Sequence, residues 1–282
     1  MKDKIVLITG ASSGIGKATA IALAKLGATI LFVSRNEQRG KEALQEIKNE
    51  SQNQNIHFYN YDVSLMANVR QLVEAIKKEY PRIDVLINNA GILPGKHTLT
   101  AEGLELCWAT NHLAGFLLTL LLSDLLLKAD TARIINVSSE AHRMGQLNFD
   151  QPVSQNQYAS FTAYCDSKLA NILFTYELSR RLELTSITVN CLHPGVIASN
   201  FGNTGYGVLK WVFKLARPFM KNTEQGAATV VYLATSSEVS SVSCKYFKNL
   251  KPVNSSKQSY NTHVARRLWN HSEVQTGLAT EL

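Results

Sequence analysis

Apolar positions along the chain follow two alternating rhythms. Short runs rich in β-branched and aliphatic residues occur at 4–10 (KIVLITG), 29–34 (TILFVS), 57–63 (HFYNYDV), 85–91 (VLINNAG), 133–139 (RIINVSS) and 187–195 (ITVNCLHPG), with a seventh at 243–247 (SCKYF). These predict strands. Between them, stretches such as GKATAIALAKLG and RGKEALQEIKNE repeat their apolar residues every three or four positions and predict amphipathic helices. Strands separated by helices imply right-handed crossovers, so the predicted fold class is α/β, a single doubly wound parallel sheet with helices on both faces. No repeat and no Pro/Gly/Ser linker interrupts residues 1–282, which read as one domain.

Two segments break the rhythm. Residues 140–163 form a polar insert after the fifth strand, with the character of a substrate loop. Residues 202–223 (GNTGYGVLKWVFKLARPFMKNT) begin glycine-rich and continue in a helical pattern. There Lys210, Lys214 and Arg217 share one face, and Leu209, Val212, Phe213 and Ala216 occupy much of the rest. A lid over an apolar substrate, peripheral contact with a membrane surface, and ordinary packing on the core all fit this segment. The greasiest stretch, LAGFLLTLLLSDLLL (113–127), is broken by Thr119, Ser123 and Asp124. Its apolar run is shorter than the roughly 20 residues that span a bilayer, so a buried helix and no transmembrane segment are expected.

Composition narrows the classes further. An apolar content of 45% in 282 residues is ample for a core. The net charge of +7, from 29 basic and 22 acidic residues, suits an anionic ligand. No basic block, zinc spacing or aromatic-basic repeat points to nucleic acid. The four cysteines, Cys107, Cys165, Cys191 and Cys244, form no Cys-x-x-Cys pair. They read as free thiols in a reducing compartment, and no metal site is expected. The chain reaches its first strand by Lys4 without a signal-peptide pattern, so a cytoplasmic location is the expectation.

The first strand runs directly into TGASSGIGKATA. Gly10, Gly14 and Gly16 stand where a strand turns into a helix, so that backbone can bend tightly and aim free N–H groups at a pyrophosphate. The second strand ends in VSRN. An NAD site normally has a carboxylate here for the ribose 2′-hydroxyl, whereas this chain has Ser34 and Arg35 and no acid before Glu37. A guanidinium beside a small hydroxyl suits a 2′-phosphate, and Lys17 adds a second positive charge. NADP(H) is therefore the expected cofactor. Asp62 is placed to accept from the adenine amino group, and the small residues of NNAG (Asn89, Ala90, Gly91) let backbone lie against the adenosine ribose.

Taken in order, TGASSGIG, NNAG, Asn111, NVSS, YCDSK and HPG resemble the short-chain dehydrogenases/reductases. The stretches GKATAIALAKLGA, AYCDSKLANILFTYELSRRL, HPGV and KYF…ARRLWNHS, with the long insert, are similar to the retinol dehydrogenase-like, NADP-dependent branch. This resemblance covers essentially the whole chain. It implies a Rossmann-type domain and reversible hydride transfer between nicotinamide and an alcohol or carbonyl carbon. It makes Tyr164 the general acid/base, has Lys168 bind the nicotinamide ribose, has Ser139 position the substrate oxygen, and has Asn111 hold a water that links Lys168 to solvent. Bringing a phenol from its usual pKa near 10 to neutrality takes roughly 4 kcal/mol, which Lys168 and the positive ring of the oxidised cofactor can supply. The resemblance also counts Ser12, Ser13, Ile15, Val63, Tyr164 and Lys168 among the cofactor-binding residues. Pro194 and Gly195 then shape a turn whose backbone, around Val196, meets the nicotinamide carboxamide, and Ser199 stands where many relatives have threonine.

Ser139 lies 25 residues before Tyr164, a longer interval than in many family members. Strand alternation puts Ser138 and Ser139 on opposite faces, so only one can serve; the family pattern favours Ser139, with Ser138 as runner-up. His193 reads as a satisfied core histidine, while His112 and His142 are candidates to face the substrate. Phe149, Tyr158, Phe161, Phe201, Tyr206, Trp211 and Phe213 are candidate pocket or lid residues, with core packing as the alternative. The expected partner is a hydrophobic small-molecule alcohol, aldehyde or ketone, retinol/retinal among them. Other readings are a lipid, steroid or xenobiotic carbonyl, a protochlorophyllide-like ring double bond, or an NADP(H)-sensing protein without turnover. By resemblance a homodimer or homotetramer is expected.

Overall fold

The computed structural model describes residues 1–149, 158–195 and 222–278. Val196, Ser199, Phe201, Tyr206, Trp211, Phe213 and nearly all of the expected lid lie outside the described residues, as does the middle of the insert. The strands are β1 (Ile5–Thr9), β2 (Thr29–Ser34), β3 (Ile56–Asn60), β4 (Val85–Asn88), β5 (Arg133–Val137), β6 (Thr188–His193), β7 (Lys245–Lys248) and β8 (Lys251–Val253). They form one sheet in the order β3-β2-β1-β4-β5-β6-β7-β8, parallel except for β8. Strand order reverses between β1 and β4, which opens a crevice at the carboxyl edge where ligands bind in such sheets.

The helices are α1 (Gly14–Lys25), α2 (Glu37–Ser51), α3 (Met66–Glu79), α4 (Leu106–Trp108), α5 (Ala114–Leu121), α6 (Ser123–Leu127), α7 (Ser160–Arg181), α8 (Thr223–Thr235) and α9 (Thr262–Thr276). The continuous apolar runs of the central strands are explained by burial on both faces. Val6, Ile8, Ile30 and Phe32 pack with Leu23 of α1, Ile47 of α2 and Val230 of α8. Their neighbours Leu7, Leu31 and Val33 point the other way, into a layer with Leu72 of α3, Phe116 of α5, Phe174 of α7 and Trp269 of α9. In that layer Phe116 lies with its ring centroid 5.1 Å from Trp269 and 5.3 Å from Phe174.

Three departures from the sequence reading have local causes. First, several strands stop short of the motif residues. Asn89 N–H turns back to Ile87 O and Thr9 Oγ1 instead of continuing the ladder, and Asp62 Oδ1 accepts from Ser64 N–H, curling the chain out of β3. The motif residues therefore sit in loops along the carboxyl edge. Second, the greasy stretch is buried as expected but is not one helix. A π turn at Ala109–Leu113 precedes α5, and a break at Leu122 precedes α6. Third, β8 carried no sequence signal. It is three residues long, exposed throughout, and contains Pro252, which an edge strand tolerates. Among the described residues no helix is long and apolar enough to cross a membrane.

A buried polar ladder crosses the centre of the sheet. Asn88 Nδ2 donates to Thr119 Oγ1 (3.0 Å) and Asn136 Oδ1 (2.8 Å), and Asn136 Nδ2 donates to Thr175 Oγ1 (2.9 Å). It links α5, β4, β5 and α7 through buried hydrogen bonds, with Asn88 Oδ1 left without a partner among the described residues. Asn136→Ala leaves a cavity and removes two of these bonds, so a stability loss of about 1–3 kcal/mol is expected in denaturant unfolding, with the fold retained.

Candidate active site

At the β1–α1 junction the backbone itself dictates glycine. Gly10 has φ +72°, and a Cβ there would lie 2.9 Å from the Ala90 Cα. A Cβ at Gly16 would lie 2.5 Å from both Gly10 O and the Asn89 amide. By contrast, space beside Gly14 is open, so the turn is crowded toward the sheet and clear toward solvent. Ser13, at the N-cap of α1, makes no side-chain cap bond, and no acidic residue stands in the first turn. The helix therefore presents its free N–H groups to an anion, as a pyrophosphate requires. Ser12, Ile15 and Lys17 flank this turn; Lys17 Nζ pairs with Glu46 at 2.5 Å.

The next loops along the edge complete a binding surface. Ser34 Oγ donates to Ser12 Oγ (2.9 Å), joining the end of β2 to the phosphate turn. Arg35 follows, exposed. Glu37, the nearest acid beyond it, pairs with Lys41 at 2.6 Å. Asp62 is half-buried and accepts from Ser64 Oγ (2.7 Å), and Val63 is buried beside it. Asn89 Nδ2 donates to Thr9 O (2.9 Å) and Gly10 O (3.1 Å), while Thr9 Oγ1 accepts from the N–H groups of Asn89 and Ala90. Thr9, which the sequence reading passed over, thus ties NNAG to the glycine turn. Its only signal was its place immediately before Gly10.

Tyr164 and Lys168 lie one turn apart near the start of α7, with Lys168 Nζ 5.6 Å from the Tyr164 ring centroid. The Lys168 ammonium is buried and donates to Val137 O (3.0 Å); burial lowers its pKa to about 8. The Tyr164 phenol is pushed above its usual value by burial, while a hydrogen bond with the Ser139 side chain draws it down. The two serines separate cleanly. Ser138 Oγ is buried and donates to Lys168 O (2.7 Å), whereas the Ser139 side chain is the one that lowers the phenol's pKa. Gly91 faces the same corner: a Cβ there would lie 3.3 Å from Lys168 Nζ and 3.6 Å from Asn111 Oδ1.

Asn111 sits in the π turn before α5 with its amide fully engaged. Its Oδ1 accepts from Ile92 N–H (2.7 Å), and its Nδ2 lies within bonding distance of Ile92 O (3.0 Å), Cys107 Sγ (3.2 Å) and Ser167 Oγ (3.0 Å). Ser167 Oγ donates to Tyr164 O (2.7 Å), so one hydroxyl connects Asn111 to the tyrosine's own helical turn. The sequence assigns no site role to Cys107 or Ser167; only the four-residue spacing of Cys107 and Asn111 hints at contact. Burial raises the Cys107 thiol to about 12, so it stays protonated.

The remaining candidates divide. Phe161 is exposed, with its ring centroid 6.5 Å from that of Tyr164, and Tyr158 donates to Glu105 Oε1 (3.0 Å) near His97. Phe149 instead packs against the buried Leu169–Leu173 cluster and against His271, which is its core-packing alternative. His112 is fully buried among aromatic rings and bonds Ser272 (2.8 Å), and His142 is buried behind Ser139. His193 accepts from Glu140 N–H through Nδ1 (3.3 Å), the satisfied core role expected of it. Pro194 and Gly195 (φ +103°) turn the chain out of β6. The lack of clearance at Gly16 makes a direct test: Gly16→Ala should weaken binding of a nicotinamide dinucleotide roughly tenfold or more in a fluorescence titration while leaving the circular dichroism spectrum intact.

The chain matches the family model for short chain dehydrogenases over residues 4–205. It is 40% identical to human retinol dehydrogenase 14, over 99% of this chain and 88% of that protein. It is 39% identical to human retinol dehydrogenase 13, over 98% of this chain and 85% of that one. Among solved structures, an uncharacterised protein of Mycobacterium paratuberculosis matches with a TM-score of 0.77 and 30% identity, covering 100% of this chain and 96% of that one. A candidate short chain dehydrogenase of Shigella flexneri 2a, complexed with NADP, matches with a TM-score of 0.69 and 25% identity, covering 89% and 98%. A doubly wound sheet, a glycine turn open to an anion, and a tyrosine and lysine one helical turn apart beside a serine thus agree with the sequence matches: the chain belongs to the short-chain dehydrogenase/reductase family of oxidoreductases, on its retinol dehydrogenase-like branch.

Proposed function

We propose that this protein is an NADP(H)-dependent oxidoreductase that moves a hydride between nicotinamide and the carbon of a hydrophobic alcohol or carbonyl, retinol/retinal being the first candidate pair. The observation that carries the chemistry is the Lys168 ammonium 5.6 Å from the centre of the Tyr164 ring, with the Ser139 side chain drawing the phenol's pKa down. A carbonyl oxygen held by both hydroxyls has its negative charge stabilised as it develops, and Tyr164 donates the proton. Burial keeps that phenol protonated, which suits the reducing direction. When bound, the nicotinamide supplies or accepts the hydride. Lys168 and Asn111, both beside Gly91, are assigned to the ribose and to the water that links Lys168 to solvent.

We assign the pyrophosphate to the turn formed by Gly10, Ser12, Ser13, Gly14, Ile15 and Gly16. Asp62, Val63, Asn89, Ala90 and Gly91 are assigned to the adenosine, and Pro194, Gly195, Val196 and Ser199 to the nicotinamide end. Exposed Arg35 supports NADP(H) over NAD(H), because the nearest acid, Glu37, is engaged by Lys41. Lys17, turned to Glu46, is a lesser contributor. The solved neighbour complexed with NADP supports the same preference, and relatives named retinol dehydrogenases support an apolar substrate.

Two measurements test this reading. Tyr164→Phe should lower turnover of all-trans-retinal, or of a steroid or aliphatic carbonyl in the same panel, by about a hundredfold to ten-thousandfold while sparing NADPH binding. Unchanged turnover would remove the acid/base assignment. Arg35→Asp should weaken NADPH by roughly 10–100-fold and NADH little, since a charge-assisted bond contributes about 1.5–3 kcal/mol. Equal weakening of both cofactors would overturn the 2′-phosphate assignment.

A further inference from the structure

The turn that follows β5 is gripped by two imidazoles at a single peptide group. Glu140 N–H donates to Nδ1 of His193, at the end of β6 (3.3 Å). The carbonyl of the same peptide, Ser139 O, is bonded by Nδ1 of His142 (2.6 Å). A carbonyl only accepts, so Nδ1 of His142 carries the proton. The other ring nitrogen, Nε2, accepts from Ser256 N–H (3.0 Å), so it carries none. His142 is fully buried, and both of its polar atoms are used. On the preceding side, Ser138 N–H donates to Leu192 O, and Ser138 Oγ to Lys168 O. The backbone at Ser139 is thereby held on both sides, by β6 and α7 and by one ring that reaches across to residue 256.

What that ring reaches is itself anchored. Asn254 O accepts from Arg143 Nη2 (2.8 Å), and Ser255 Oγ bonds the Tyr176 hydroxyl of α7 (2.8 Å). Consecutive residues 255 and 256 therefore hold the two elements that carry Tyr164 and Ser139. We propose that His142 is a positioning residue for reduction: it transmits the anchor of the 254–256 segment to Ser139 and so fixes the Ser139 hydroxyl against Tyr164. This rests on the assignment of Ser139 made above. Among the described residues the ring meets Ser139, Ser256 and Tyr246, and it acts on the groups assigned to proton transfer only through the Ser139 peptide. Displacement of a reacting group by a fraction of an ångström is enough to slow catalysis while leaving binding intact.

Three variants of the full chain separate positioning from mere stability. His142→Phe keeps a ring but removes both nitrogens. His142→Asn places an amide nitrogen where Nδ1 stands and keeps the bond to Ser139 O. Ser256→Pro removes the donor to Nε2 without touching the histidine, and its φ of −67° already suits proline. With NADPH and all-trans-retinal, His142→Phe and Ser256→Pro should lower kcat about tenfold or more, with KM and NADPH affinity nearly unchanged. His142→Asn keeps the bond to Ser139 O but cannot reach Ser256 N–H, so it should lose kcat as Ser256→Pro does. Amide exchange at residues 139–144 should quicken in His142→Phe, a readout independent of substrate.

Unchanged exchange there, kcat losses that merely follow melting temperature across the variants, or full kcat in His142→Asn would overturn the inference. Ser139→Ala is measured alongside. If it abolishes turnover while His142→Phe and Ser256→Pro keep full kcat, positioning fails and the serine assignment survives. If Ser139→Ala is itself fully active, the assignment beneath the proposal fails.

Discussion

A buried ammonium bonded to the last carbonyl of a central strand is the contact around which this site is arranged. Lys168 Nζ donates to Val137 O, and Ser138 Oγ returns a bond to Lys168 O, so β5 and α7 are locked at the level of the chemistry. A charged group buried without such partners would cost several kcal/mol. The lock therefore constrains both elements to one relative position. The groups around it inherit that position: Ser139 one residue past the lock, Tyr164 one turn before it, and Asn111 across the Gly91 corner.

The surrounding packing explains why that arrangement can hold. The aromatic layer of Phe116, Phe174 and Trp269 fixes α5, α7 and α9 against one another. The asparagine ladder from Asn88 to Thr175 fixes α5 and α7 to the strands. Apolar packing supplies most of the burial and tolerates small shifts, whereas the polar ladder demands direction and so sets register. The π turn at Ala109–Leu113 adds a local change of helical phase that brings Asn111 to face Ile92, Cys107 and Ser167.

Much of this was legible in the sequence, for identifiable reasons. The central parallel strands stand out because burial on both faces demands unbroken apolar runs, and the glycine turn because its steric demands admit few substitutes. Tyr164, Lys168 and Asn111 were found through family motifs, and the structure places them in one corner. What stayed hidden depends on contacts between distant residues. Thr9, Cys107 and Ser167 act through neighbours brought together only by folding, and β8 is too short and too exposed to have a period. Two imidazoles, of His142 and His193, hold the Ser139 peptide, and Ser256 in turn holds His142, a relation no local pattern encodes.

The β7–β8 hairpin has a consequence for how copies of this chain can meet. The sheet ends in Lys251, Pro252 and Val253, all exposed, opposite Lys248, Phe247 and Tyr246. A free strand edge invites another chain to continue the ladder, but proline offers no N–H there and lysine resists a dry, like-charged seam. On this margin the fold is protected against runaway strand addition, the route by which exposed sheet edges seed aggregation.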